Sequence, residues 1–147
     1  MTAPCAPGCG HEGPPPEALF ALYDALDLCA VAVDEAGSGR LPEAMSAWCA
    51  ARDAASRIAA APEVVHALGL VLAASRPSNA DAPWRAGLWR ALSAASLALL
   101  TAADGDQSAA GDLLLDACGH ADGLPCSPPL RVVLTAAWDQ AREQVTA

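Results

Sequence analysis

Lysine is absent from this chain, and all eight of its basic residues are arginine. That absence removes Schiff-base chemistry and the phosphate-binding lysine of a G-x-x-x-x-G-K-[ST] loop, and no such loop occurs. Basic charge of any kind is scarce: against 17 acidic residues the formal net charge is −9 at pH 7. A phosphate backbone would be repelled, and the arginines form no stripe to overcome this locally, so direct nucleic-acid binding is not expected. Aromatic residues make up 4% of the sequence and isoleucine occurs once, as Ile58, whereas alanine and leucine dominate a composition that is 54% hydrophobic. Such a chain favours helix over sheet.

Other absences narrow the function. No G-x-S-x-G elbow is present, and Ser38, between Gly37 and Gly39, reads as a linker rather than a nucleophile. The N-terminal MTAPCAPGCGHEGPPP carries neither the basic nor the apolar region of a secretory signal. The expectation is therefore a cytoplasmic protein, whose six cysteines are packed thiols or metal ligands rather than a disulfide framework. The apolar stretch 84–103 is interrupted by Arg85 and Arg90, and what remains uncharged is too short for a hydrocarbon core of about 30 Å. No membrane contact is expected. The arginine bias, together with the alanine and proline content, points to a high-GC bacterial genome.

What is present organises itself as helices. A length of 147 residues suits one ordinary domain, read here as a Pro/Gly/Cys-rich N-terminal arm over 1–16 and a single helical-bundle domain over 17–147. Helical spacing predicts a first helix from about Glu17 to Ala36, with Leu19, Leu22, Leu26, Cys29 and Val33 inward and a solvated ridge of Asp24, Asp27, Asp34 and Glu35 outward. A second begins near Pro42 with Leu41, Met45, Trp48, Ala55 and Ile58 inward, and with Asp53 four residues before Arg57. Pro62 starts a third, faced by Val64, Leu68 and Val71.

The long segment 84–103 carries the most bulky apolar surface: Trp84, Leu88, Leu92, Ala95 and Leu99 cluster on one side, with Asp81 as the expected N-cap and Gly105 as the stop. A short helix fits 107–118, ended by Gly119. After a loop, Ser127 caps a last helix with Leu130, Leu134, Ala137, Ala141 and Val145 inward. The fold class is all-α, an irregular bundle of about five to six helices.

Two patterns bear on chemistry. Cys5-x3-Cys9-x-His11 and Cys118-x-His120-x5-Cys126 each fall in a stretch read as loop, and thiolates with imidazoles from two such loops are what a tetrahedral zinc takes. Against this, neither half is a C-x2-C knuckle, and six candidates exceed four ligands. Cys29 and Cys49 read as packed small apolar groups. Glu63-x-x-His66 has the spacing of a di-iron motif without the second copy such a site requires, and Glu63 is explained as a first-turn acid.

On the helix at 84–103, Trp84 and Trp89 lie about 140° apart, so a single neighbouring helix is not expected to cover both rings. Arg85 stands within the apolar side, where it either pairs with a carboxylate or anchors an anionic partner. Trp84, Arg85 and Trp89 are thus the candidate interaction residues. With no catalytic constellation, the expectation is a non-enzymatic helical interaction or accessory protein of the kind carried on bacterial mobile elements, acting on a protein partner or as a homodimer and requiring no cofactor. The other reading is a zinc-binding, other metal-binding or thiol-redox helical protein using Cys5, Cys9, His11, Cys118, His120 and Cys126.

Overall fold

The computed structural model describes residues 16–58, 60–79 and 81–146. Among these there is no strand. The elements are α1 (Pro16–Gly37), α2 (Leu41–Ser56), α3 (Pro62–Ala74), one 3-10 turn (Pro77–Asn79), α4 (Arg85–Ala103), α5 (Gln107–Ala121) and α6 (Ser127–Thr146). The chain is an all-α bundle, as its composition and periodicity predict.

Proline and glycine punctuate it. Pro42 and Pro62 sit in the first turns of α2 and α3, where a missing N–H breaks no bond and the fixed φ suits a helix. After α4 and α5 the chain reverses at Gly105 and Gly123, with φ of 94° and 83°, a region that residues with a Cβ avoid. The expected stop at Gly119 is overturned, because α5 continues to Ala121. Ala117 and Ala121 are both fully buried, so packing holds the helix for most of another turn before Asp122 and Gly123 end it.

The start of α4 also differs from expectation. Its N-cap is Trp84, without a side-chain cap bond. Asp81 and Pro83 lie in the preceding turns, where Arg85 N–H already bonds the Ala82 carbonyl and Leu88 N–H bonds that of Trp84.

At the centre, α4 packs against α1, α5 and α6, and Leu88, Leu92 and Leu99 are fully buried. By length and mean hydropathy α4 is the one described helix that could cross a membrane, yet half of the relevant stretch is buried within the bundle, as befits a core helix. α1 contributes Leu22, Leu26, Cys29 and Val33 to the same core.

α2 is the clearest departure from the expected pattern. Its buried row is Ala44, Ala47, Ala51 and Ala54, while Leu41 and Met45 are exposed. The helix packs chiefly on α1, and a row of alanines at helical spacing lets two backbones approach more closely than leucine would allow. This rotation leaves Cys49 exposed rather than packed.

Trp48 ties α2 to α3. Its Nε1–H donates to the Leu72 carbonyl at 2.8 Å, and the Arg52 and Arg76 guanidinium carbons stand 5.1 and 5.6 Å from its ring. Removing the donor leaves the Leu72 carbonyl with the Ser75 N–H as its partner and loses one part-buried bond, so Trp48→Phe is expected to lower stability by about 1 kcal/mol, read as a shift in the urea midpoint. An unchanged midpoint would show that the bond contributes nothing. The Asp53–Arg57 pair predicted from spacing forms at 2.7 Å, but exposed pairs of this kind contribute little.

Candidate functional site

The two tryptophans at the start of α4 part company. Trp84 is half-buried against the core, whereas Trp89 is 39% exposed. The rotation that buries Leu88, Leu92 and Leu99 turns Trp89, Leu97 and Leu100 outward. Ala86 and Arg90 are exposed on that side and Ser93 is half-exposed.

Arg85 does not take the carboxylate-pairing role anticipated for it among the described residues. It forms no ion pair there with a carboxylate. Its guanidinium instead lies over Gly37, in space a Cβ would occupy, and its Nε is buried without a hydrogen-bond partner. The C-terminal end of a helix favours positive charge, so this contact suits an arginine acting between α1 and α4.

A larger concavity lies between α5 and α6. It is a groove of about 600 Å³, with Leu114, Leu115, Cys118, Leu134 and Trp138 as its apolar lining and Gln107, Ser108, Asp112 and Thr135 as polar groups. Gly111 allows its depth, since a Cβ there would stand 3.3 Å from two carbons of the Trp138 ring. Leu115 is 73% exposed, the most exposed of the large hydrophobic residues described.

The sequence holds a signal for this groove. Leu113, Leu114 and Leu115 follow one another at about 100° steps, so a helix with one buried face must turn at least one of them outward. Charge around the groove is mostly negative: Asp112 and Asp116 are exposed on α5, whereas Arg131 and Arg142 on α6 are already paired with Asp122 and Asp139.

Among the described residues the cysteine and histidine candidates do not converge. Cys118 and His120 are helical, not in a loop, because α5 extends past both. Two residues apart on a helix, they point about 200° away from each other. Cys118 faces the α5–α6 groove, while His120 Nε2 stands 3.4 Å from Asp116 Oδ2. Cys126 is buried just before α6, beside a second, smaller concavity lined by Leu70, Trp84 and Pro129. Burial pushes its thiol above the ordinary value, partly opposed by a backbone hydrogen bond. Among the described residues no three Cys, His, Asp or Glu side chains gather as metal ligands. Cys5, Cys9 and His11 lie outside the described residues. Glu63 and His66 are both exposed on α3.

The acidic ridge of α1 has the solvated character expected of it. Asp24 and Asp34 are exposed, and Glu35 is bonded by Arg40. Asp27 is half-buried, and its carboxyl is raised above the usual range by that burial and by the neighbouring Asp24 charge. Comparison with protein-family models, curated proteins and solved structures finds no match for the chain.

Proposed function

We propose that this protein is a non-enzymatic helical interaction protein, and that its α5–α6 groove receives an amphipathic helix of a protein partner. The observation that carries this reading is Leu115, 73% exposed at the edge of an apolar groove of about 600 Å³. A large aliphatic side chain left in water beside a concave apolar surface is the usual sign of an unfilled contact. Between Gln107 and Cys118 the groove follows α5 for about 16 Å, roughly three helical turns, the length over which a helix presents anchors at i, i+3, i+4 and i+7. With Asp112 and Asp116 unmatched by free arginines on α6, the complementary partner carries Arg or Lys beside its apolar face.

The test uses a fluorescein-labelled peptide of about 14 residues, roughly 21 Å as a helix, with leucines along one face and arginines flanking them. Its anisotropy is expected to rise on titration with the full chain. Leu115→Asp is expected to weaken binding by about tenfold or more, which is 1.4 kcal/mol, with the circular dichroism spectrum unchanged. A peptide with glutamate flanks should lose a similar factor. Equal affinity of both peptides for both proteins would remove this reading, as would no binding at all.

A further inference from the structure

We propose that the start of α4 carries an oxyanion site, where Arg85 and Arg76 receive one phosphoryl group, either free phosphate or a phosphoryl group on a larger molecule. This site is separate from the α5–α6 groove and does not depend on it.

The distribution of arginine is the first observation that points there. Arg40, Arg57, Arg131 and Arg142 are each paired with a carboxylate. Arg52, Arg76, Arg85 and Arg90 have no carboxylate partner among the described residues, and the first three of them gather at one corner of the bundle. Arg52 and Arg76 both stand over the Trp48 ring, while Arg76 and Arg85 line one small concavity with Asn79 and Trp84. In a chain of net charge −9, guanidinium groups that meet with no carboxylate paired to them create a local positive field.

The second observation is that the donors of Arg85 find no acceptor among the described residues. Its guanidinium lies over Gly37, and its Nε is buried and unbonded. The neighbouring carbonyls already have donors. At the end of α1, those of Asp34, Glu35 and Ala36 accept from the N–H groups of Ser38, Gly39 and Arg40. At the end of α3, those of Ala73 and Ala74 accept from Asn79 Nδ2. Glu35, the acid closest in sequence to Gly37, is bonded by Arg40. A guanidinium presents five N–H donors in a planar fork, and a buried charged donor without an acceptor is costly, so an oxyanion complements this geometry.

The third is the helix itself. α4 begins at Arg85 with no capping side chain and no acid in its first turn, and a helix start favours negative charge. Arg85 reaches the concavity from α4 and Arg76 from the link after α3. A tetrahedral phosphoryl group offers oxygens to both, where a carboxylate fills one fork. Two arginines suit one such group, not the run of phosphates in a nucleic acid.

Calorimetric melting of the full chain tests this, in phosphate, acetate and chloride at equal pH and ionic strength. With about 20 mM phosphate the melting temperature is expected to rise by about 3 °C over chloride. Arg76→Gln and Arg85→Gln should each lose that rise, measured against the variant's own value in chloride, while Arg90→Gln should keep it. Gly37→Ala leaves every charge in place, but the added Cβ falls where the guanidinium lies, and the rise should again be lost. Arg76 is exposed, so its variant keeps the test intact should Arg85→Gln fail to fold. Absence of a rise in the wild-type protein overturns the proposal. So does an equal rise in all four variants, which is the general stabilising effect of phosphate on folded chains. A rise in acetate as large as in phosphate overturns the phosphoryl assignment. Phenyl phosphate separates the two sources: a rise matching that of phosphate supports a phosphoryl group on a larger molecule, and a rise with phosphate alone supports the free ion.

Discussion

Replacing Leu92 by alanine is expected to lower the free energy of unfolding by about 3 kcal/mol. Leu92 has no exposed surface and sits midway along the one helix that touches α1, α5 and α6 together. Truncation there loses the transfer free energy of the deleted carbons, and it leaves a cavity that three surrounding helices cannot all close. In a chain of this length each kcal/mol moves the melting temperature by roughly 2–4 °C, so a fall of about 10 °C should be seen by calorimetry. The comparison is Leu115→Ala, the same chemical change on α5. At 73% exposure Leu115 contributes little to folding, and its truncation should stay within about 0.5 kcal/mol. Equal losses at the two positions would mean that α5 is rotated from the orientation described, and the α5–α6 groove would vanish with it.

This pair of leucines also marks how far the sequence could be read. Where a helix is patterned by large side chains, periodicity located the core: Leu22, Leu26, Cys29 and Val33 on α1 and Leu88, Leu92 and Leu99 on α4 are all buried. Where alanine fills the inner row, it did not. On α2 the bulky Leu41 and Met45 drew the inward face toward themselves, but the residues that pack are alanines, whose value lies in being small rather than in being hydrophobic. Pattern reading weighs side chains by transfer free energy, and close helix approach rewards the reverse. Cys29 and Cys49 separate on the same ground, one buried and the other exposed, since each follows the rotation of its own helix.

The candidate sites were legible to a lesser degree. An angle of about 140° between Trp84 and Trp89 implied that one neighbouring helix could not cover both, and Trp89 is the ring left exposed. The placement of Cys118 and His120 depended instead on where α5 stops. Gly119 is a credible terminator taken alone, but the burial of Ala121 is a tertiary contact that no local signal announces. Once the helix runs through, the Cys-Gly-His tripeptide becomes two side chains on opposing sides of a cylinder. A zinc shared between this stretch and Cys5, Cys9 and His11 would have to draw on fewer ligands from α5 than the loop reading supplied.

Alkaline pH is expected to destabilise the fold steeply through Cys29. This thiol has no exposed surface and is pushed up from 9.0 to about 12, because burial penalises the thiolate more than a hydrogen bond with Ser75 relieves it. Below pH 9 the thiol is neutral in both the folded and unfolded chain, so its contribution is fully present. Between 9 and 12 the unfolded chain ionises while the folded one does not. The unfolded state then binds fewer protons, and stability falls as pH rises, by about 1.4 kcal/mol per unit and about 4 kcal/mol over the whole interval. Cys126 and Tyr23, also raised chiefly by burial, add to the same limb. Cys29→Ala should cost about 1 kcal/mol at neutral pH yet flatten most of the alkaline slope, so that variant and wild type converge and then cross as pH increases. Urea midpoints taken from pH 7 to 11 under a phosphine reductant would show this. Parallel curves for the two proteins would mean that Cys29 ionises without unfolding the bundle, which is incompatible with a thiol sealed between α1 and the end of α3.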